Sequence, residues 1–265
     1  MSDLRPLSEL ISLKGKRALI TGAAAGIGEA IAHRFAEAGA DLDLVDIDEG
    51  GLWEVREKLS GFGVEVNLHV IDLSNKGEID ELWESLSGRE PDILVNNAGI
   101  YPFKNFLEVD EGFLSKVVDI NLDAVFWMCQ HMIKRRLNKG GVIVNIGSIE
   151  AFLPFEKDLS HYTISKAGVI ALTRSLAKEY GKRGFRVNAV IPGGIKTRGV
   201  KKAAKEVLKL RVELIKSAAA FMSRLPLGRF GEPDEVARIV LVLASDLASY
   251  MTGAIVVVDG GFLST

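Results

Sequence analysis

One pattern runs through the whole chain: a short apolar run rich in β-branched residues, then a longer amphipathic stretch. The short runs fall at residues 17–21, 42–46, 65–71, 93–96, 141–146, 186–191 and 254–258. Helical patterns occupy residues 27–38, 51–59, 78–86, 111–137, 165–180 and 233–244. Near-continuous Val, Ile and Leu in the short runs means strands buried on both faces, and the helices between them mean βαβ units. Right-handed crossovers then wind the chain into a doubly wound, three-layer α/β fold around a parallel sheet. No Pro/Gly/Ser-rich linker cuts the chain, so residues 13–265 read as one domain and residues 1–12 as an N-terminal extension. Residues 198–229 interrupt the alternation with a lysine-rich helical pattern. Following the sixth strand, such an insertion lies over the carboxyl ends of the strands, where open α/β sheets bind ligands, and reads as a substrate lid.

Composition excludes several functions. The net charge of -2 supplies no basic field for nucleic acid or an anionic membrane surface. No uncharged apolar run approaches the roughly 18 residues of a membrane helix. The best candidate, residues 236–258, is broken by Arg238, Asp246 and Asp259. Cys129 is the only cysteine, which rules out an intrachain disulfide and fits a reducing compartment. The first residues lack the pattern of a signal peptide, so the expected location is the cytoplasm. No metal site is expected.

The run Ala18-Leu19-Ile20-Thr21 leads into Gly22-Ala23-Ala24-Ala25-Gly26-Ile27-Gly28 and then a helix. Glycines there allow a tight turn and close approach to a pyrophosphate, and the helix presents free N–H groups to it. The spacing is GxxxGxG, and by itself it is also compatible with a plain strand–helix turn. The second strand ends at Asp46, where a carboxylate accepts hydrogen bonds from ribose hydroxyls and repels a 2′-phosphate. No Lys or Arg lies in residues 23–25 or directly after Asp46. That favours NAD over NADP, against the alternative of a solvated strand-end carboxylate.

Tyr162 and Lys166 stand four residues apart where a helix opens, so phenol and ammonium share one face. A nearby cation lowers the pKa of a phenol, and a pKa near the working pH suits a proton donor. An ordinary exposed helix face has the same spacing. Position tips the balance. Ser148 follows the fifth strand, the run Asn96-Asn97-Ala98-Gly99 ends the fourth, Pro192-Gly193-Gly194-Ile195-Lys196-Thr197 follows the sixth, and Asn121 lies in the long helical stretch.

This set resembles the single-domain branch of the short-chain dehydrogenase/reductase family. The matching residues are Thr21, Gly22, Gly26, Gly28, Asp72, Asn96 to Gly99, Asn121, Ser148, Tyr162, Lys166, Pro192 and Gly193, and the resemblance extends from about residue 13 to the C-terminus. It implies that Tyr162 is the acid–base residue, that Lys166 tunes it and holds the nicotinamide ribose, and that Ser148 binds the reacting oxygen. Asn121 is implied to hold a water in a proton relay to Lys166. Cofactor contacts are implied at Gly22, Gly26, Ile27, Gly28, Asp46, Ile47, Asp72, Leu73, Asn96, Ala98, Gly99, Pro192, Gly193, Ile195 and Thr197. A homo-oligomer is implied as well, commonly a tetramer joined through residues 111–137 and 165–180 and through the C-terminal strand.

The expected activity is NAD(H)-dependent interconversion of a small-molecule alcohol and its ketone, with a polyol, sugar, sugar acid or secondary alcohol as substrate. The alternatives are a 3-oxoacyl-carrier-protein-type ketoreductase and, in another class, a catalytically idle NAD-binding interaction protein. Ser148, Glu150, His161 and Gly194 are the expected substrate contacts, with residues 100–104 as a further wall. Glu150 either accepts hydrogen bonds from a polyhydroxy substrate or is a rim carboxylate in solvent. His161 either touches substrate or caps the helix. The lysines of residues 201–216 either meet an acidic substrate or carrier, or form the solvated face of a lid helix.

Overall fold

The computed structural model describes residues 4–197 and 220–265. Its sheet has seven parallel strands: β1 (Arg17–Thr21), β2 (Asp41–Asp46), β3 (Val66–Val70), β4 (Ile93–Asn96), β5 (Gly141–Ile146), β6 (Phe185–Pro192) and β7 (Ile255–Val258). They lie in the order β3-β2-β1-β4-β5-β6-β7. The helices are α1 (Leu7–Ile11), α2 (Gly26–Glu37), α3 (Glu49–Leu59), α4 (Lys76–Ser85), α5 (Glu111–Val118), α6 (Ala124–Arg136), α7 (Ser160–Tyr180) and α8 (Pro233–Ala244).

Alternation along the strands builds two cores. Ala18 and Ile20 of β1 and Leu42 and Leu44 of β2 face Ile31, Phe35, Leu52 and Val240 of α2, α3 and α8. Leu19, Val45, Leu94 and Ile143 point the other way, onto Trp83, Met128, Met132 and Val169 of α4, α6 and α7. Successive strand side chains project to opposite faces, so each apolar strand serves both layers. Burying one such aliphatic side chain is worth roughly 1.5–3 kcal/mol. A third cluster joins Phe155, Phe221, Phe230 and Phe262 at the carboxyl end of β6. The expected three-layer, doubly wound, single-domain α/β fold is what forms.

The chain leaves β3, passes β2 and β1, and enters β4. The strand order therefore reverses between β1 and β4, and their carboxyl ends open into a cleft. The N-terminal extension contains α1, and Arg5 pairs with Asp246 at 2.9 Å. Most of the expected lid, residues 198–219, and the lysines of residues 201–216 lie outside the described residues. No helix among the described residues is long and apolar enough to cross a membrane.

The single helix expected over residues 111–137 is three pieces. A π-helical segment, Asp119–Asp123, separates α5 from α6. The buried positions Val117, Asn121, Val125 and Cys129 keep a spacing of four across it, which a continuous helix also shows. Widened turns of this kind concentrate at functional sites. Likewise, α7 begins five residues before the expected position 165, so Tyr162 already lies in its first turn.

Candidate active site

The glycine loop after β1 is shaped by two close approaches. Gly22 has φ 65°, and a Cβ there would lie 2.8 Å from Ala98 Cα. A Cβ on Gly28 would lie 2.0 Å from the Gly22 carbonyl oxygen. Asn97 fastens this loop to β4: its Nδ2 donates to the carbonyls of Thr21 and Gly22 at 3.0 and 2.9 Å. Helix α2 then starts with no side chain capping its N-terminus, which leaves its first N–H groups for a ligand.

Of the expected cofactor contacts, Gly22, Gly26, Ile27, Asp46, Ile47, Asp72, Leu73, Ala98, Gly99 and Thr197 line the cleft. Asp46 is fixed there by the N–H groups of Ala24 and Asp48, at 3.0 and 3.1 Å. Among the described residues lining the cleft there is no Lys or Arg. Asp72 accepts from the N–H and hydroxyl of Ser74 at 2.9 and 2.7 Å, and these bonds hold its carboxyl below the usual carboxylate range. The cleft therefore offers uncapped helix N–H groups at one point and a fixed carboxylate near each of two strand ends. That donor and acceptor set fits the pyrophosphate and adenosine of a dinucleotide.

Other expected contacts are not part of that lining. Asn96 is buried beneath the cleft, donating to Asn145 Oδ1 at 2.8 Å, and its neighbour Asn97 lines the cleft instead. Strand alternation explains the exchange, since successive side chains take opposite faces. Gly28 serves helix–strand packing rather than the cleft wall. Pro192, Gly193 and Ile195 also do not line it. Gly193 sits against Asp259, where a Cβ would lie 2.7 Å from the Asp259 Cα, and Ile195 is buried and bridges to Gly231.

Ser148, Tyr162, Lys166 and Asn121 converge beyond the cleft. Ser148 follows the turn after β5 and accepts the Glu150 N–H at 3.2 Å, and its hydroxyl acts on the Tyr162 phenol in favour of the ionised form. The Lys166 ammonium donates to the Ile146 carbonyl at 2.9 Å and lies 5.9 Å from the centre of the Tyr162 ring. Asn121 is fully buried in the π segment. It accepts the Ile100 N–H at 2.8 Å and donates to the Ile100 carbonyl at 2.9 Å and to Ser165 Oγ at 3.3 Å. A Cβ on Gly99 would lie 3.2 Å from Asn121 Oδ1 and 3.4 Å from Lys166 Nζ, so the β4 loop passes directly beside both.

The charges depart from the expectation. Burial pushes the Tyr162 phenol up to about 12, with Glu150 adding to the rise and the Ser148 hydroxyl opposing it. Burial pulls Lys166 down to about 8. The lysine was expected to lower the phenol, yet in the protein alone desolvation governs both groups. The ammonium is turned towards Ile146, and loss of water outweighs a cation nearly 6 Å away.

The substrate candidates divide in the same way. Glu150 is buried rather than a solvated rim group, and its carboxylate accepts the N–H groups of Phe155 and Glu156 at 3.1 and 3.3 Å. His161 is also buried. Its Nε2 faces the Pro102 carbonyl at 2.8 Å and its ring packs edge-on against Phe113, so it anchors the 100–104 loop instead of reaching outwards or capping α7. Gly194 lies under Phe221 and Phe230, where a Cβ would meet their rings at 2.5 and 2.7 Å. Tyr101 is the side chain that reading by motif did not single out. Its ring stands edge-to-face on Tyr162 with centroids 4.7 Å apart.

Comparison with known proteins shows which family the whole chain resembles. The family model described as enoyl-(acyl carrier protein) reductase matches residues 22–263. A 3-oxoacyl-acyl-carrier-protein reductase of Chlamydia pneumoniae is 38% identical over 95% of the chain and 98% of its own length. A galactitol 2-dehydrogenase (L-tagatose-forming) of Cereibacter sphaeroides is 37% identical over 94% of the chain and 96% of its own. Among solved structures, a putative NAD(P)-dependent gluconate 5-dehydrogenase of Beutenbergia cavernae with bound NADP superposes with a TM-score of 0.88. It is 35% identical and covers 97% of this chain and 100% of its own.

Proposed function

The chain belongs to the short-chain dehydrogenase/reductase family of oxidoreductases, and from that premise we propose that it interconverts a polyol, sugar, sugar acid or secondary alcohol and its ketone with NAD(H). The observation that carries this reading is the Lys166 ammonium 5.9 Å from the centre of the Tyr162 ring, with Lys166 and Asn121 both packed against Gly99 of the cleft. The nicotinamide cofactor supplies the hydride or accepts it, and in its oxidised form brings a positive charge.

The chain's own residues do the rest. Gly22, Gly26 and the first N–H groups of α2 receive the pyrophosphate, Asp46 the adenosine ribose hydroxyls, and Asp72 the adenine amino group. Ser148 donates a hydrogen bond to the substrate oxygen and holds it against the Tyr162 hydroxyl. Tyr162 gives that oxygen a proton in reduction and takes it in oxidation. Lys166 favours the phenolate form and holds the nicotinamide ribose, while Asn121 fixes the loop that borders both. Positioned acid–base groups of this kind contribute about 10²–10⁴ in rate.

Asp46 supports NAD, because a fixed carboxylate with no Lys or Arg among the described residues lining the cleft repels a 2′-phosphate. The relatives include a galactitol dehydrogenase, which suits a polyol. They also include a 3-oxoacyl-acyl-carrier-protein reductase, and the same catalytic set serves a β-keto thioester. The Asp46 carboxylate weighs against that second reading, since such ketoreductases usually prefer NADPH. The family's usual assembly, through residues 111–137 and 165–180 and the C-terminal strand, makes a homotetramer the assembly we propose.

Initial rates with galactitol, gluconate, 2-butanol and acetoacetyl-CoA, each with both cofactors, test the proposal. NAD should exceed NADP by about tenfold or more in kcat/KM, and Asp46→Ala should erase most of that difference. An NADP preference, or turnover of the thioester alone, overturns it.

A further inference from the structure

The substrate side of the site carries a second phenol that proton transfer does not require. Tyr101 lies in the loop after β4, and that loop is tied down on both sides of it. Asn121 grips Ile100 through its N–H and carbonyl, at 2.8 and 2.9 Å. Beyond Tyr101, His161 Nε2 holds the Pro102 carbonyl at 2.8 Å, and the Lys104 N–H donates to the Asp158 carbonyl at 3.0 Å. A short segment anchored at three points has little freedom to move its central side chain. The Tyr101 ring stands edge-on to Tyr162 at 4.7 Å and 88°, and edge-on to Phe103 at 5.1 Å and 85°. It remains 38% exposed, so it screens one side of the catalytic phenol while offering its own free surface to an approaching molecule.

Glu150 belongs to the same neighbourhood. Its N–H donates to Ser148 Oγ at 3.2 Å, which places it directly beside the catalytic hydroxyls, and it contributes to the rise of both the Tyr162 and Tyr101 phenols. Two backbone N–H groups keep its carboxylate in place. Burial and the nearby carboxylates hold the Tyr101 phenol well above its ordinary value, so it stays an un-ionised hydroxyl that both donates and accepts hydrogen bonds. The cation of this loop, Lys104, is engaged by Asp110 and by the face of the Phe113 ring.

We propose that Tyr101 is the specificity-determining residue of the substrate pocket, its hydroxyl receiving a hydroxyl of the substrate beside the reacting carbon. With Glu150 it makes a wall that admits uncharged polyols and turns away carboxylates such as aldonates. A polyol hydroxyl finds a neutral donor and acceptor at Tyr101, whereas a carboxylate brought to the same wall meets Glu150 in a partly desolvated setting, where like charges repel strongly. This inference rests on the dehydrogenase reading and narrows its substrate class.

The test is calorimetric binding of galactitol and of gluconate to the NADH-saturated protein, in the wild type and in Tyr101→Phe, Tyr101→Ala and Glu150→Gln. NADH affinity in each variant reports that the fold and cleft are intact. The wild type should bind galactitol about tenfold or more tighter than gluconate. Tyr101→Phe, which keeps the ring and removes only the hydroxyl, should weaken galactitol about 5- to 20-fold, and Tyr101→Ala by more. Glu150→Gln should bring the two ligands' affinities together. The proposal is overturned if galactitol affinity is unchanged in both Tyr101 variants, if gluconate binds more tightly than galactitol, or if neither is bound. Polyol binding without hydride transfer to NAD would strike the dehydrogenase reading and leave the role of Tyr101 standing. Hydride transfer indifferent to the Tyr101 variants would do the reverse.

Discussion

Tyr162 has two environments to satisfy: a pocket dry enough to exclude water from the reacting oxygen, and one polar enough to let its own proton go. Burial sets the first and pushes the phenol up to about 12, so the Ser148 hydroxyl and the Lys166 ammonium must supply the second. Tyr162→Phe keeps the ring and its contact with Tyr101 while removing the proton. Its kcat should fall about 10³-fold or more, with NADH affinity, read by fluorescence titration, within a few-fold of the wild type. Full activity in this variant would remove Tyr162 from the chemistry. Lys166 makes a second, independent prediction. Its folded pKa of about 8 lies below the ordinary 10.5, so between those values the unfolded chain binds the extra proton. Stability contributed at Lys166 therefore rises with pH across that window and is at its lowest below pH 8. Cys129, which burial pushes up to about 12, and Tyr162 oppose this at alkaline pH. Comparison with Lys166→Met cancels them. The wild type should gain on Lys166→Met from about pH 8 to 10.5 by at most about 1.4 kcal/mol per pH unit, read from urea midpoints, and a flat difference would contradict it. At this scale the sequence identified which groups meet, because a four-residue spacing on a helix is a geometric fact. It misjudged their charge balance, because desolvation depends on what the rest of the chain packs around them.

Elements, not single residues, bring the site together, and two of them show where sequence reading succeeds and fails. The glycine loop was legible because nothing but glycine fits at position 28, where a Cβ would come within 2.0 Å of the Gly22 carbonyl oxygen. Gly28→Ala should push α2 away from β1 and weaken NADH binding about 10- to 100-fold in a fluorescence titration, as overpacking against backbone commonly costs 1–3 kcal/mol. Unchanged binding would mean that the loop relaxes freely. The π segment Asp119–Asp123 was not legible, since the four-residue spacing of buried positions across it is also that of a continuous helix. Yet that turn swings Asn121 inwards to clasp Ile100 and reach Ser165. The choice between Asn96 and Asn97 was equally hidden. Both end β4, and only the register of the sheet decides that one joins Asn145 in the core while the other grips the glycine loop. His161 and Glu150 were found by proximity in sequence, but their burial and their backbone partners, Pro102 for one and Phe155 and Glu156 for the other, were not legible because backbone groups carry no side-chain signature.

Over the whole molecule, the active site and the outer surface share a helix. Helix α7 carries Tyr162 and Lys166 inwards, while Ile164, between them, is 56% exposed. Phe126 on α6 is also exposed, and among the described residues β7 is an edge strand of the sheet, with Val257 exposed on it and Tyr250 exposed in the turn before it. Unpaired strand edges and exposed aromatic rings are costly unless covered, and these two faces match the helix pair and terminal strand through which a tetramer would close. Light scattering should therefore give a mass of about four times 28.8 kDa. Val257→Lys, which places a charge on the edge strand, should halve it, and Phe126→Glu with Ile164→Glu should break the other face. The two disruptions should differ in consequence. Losing the β7 contact leaves α7 supported by its neighbour, whereas losing the α6–α7 contact uncovers the helix that aims Tyr162 and Lys166. If assembly stiffens the catalytic helix, the second variant should lose turnover on dilution as well as mass, while the first keeps its turnover. A monomeric wild type with full specific activity at nanomolar concentration would show that the helix needs no such support.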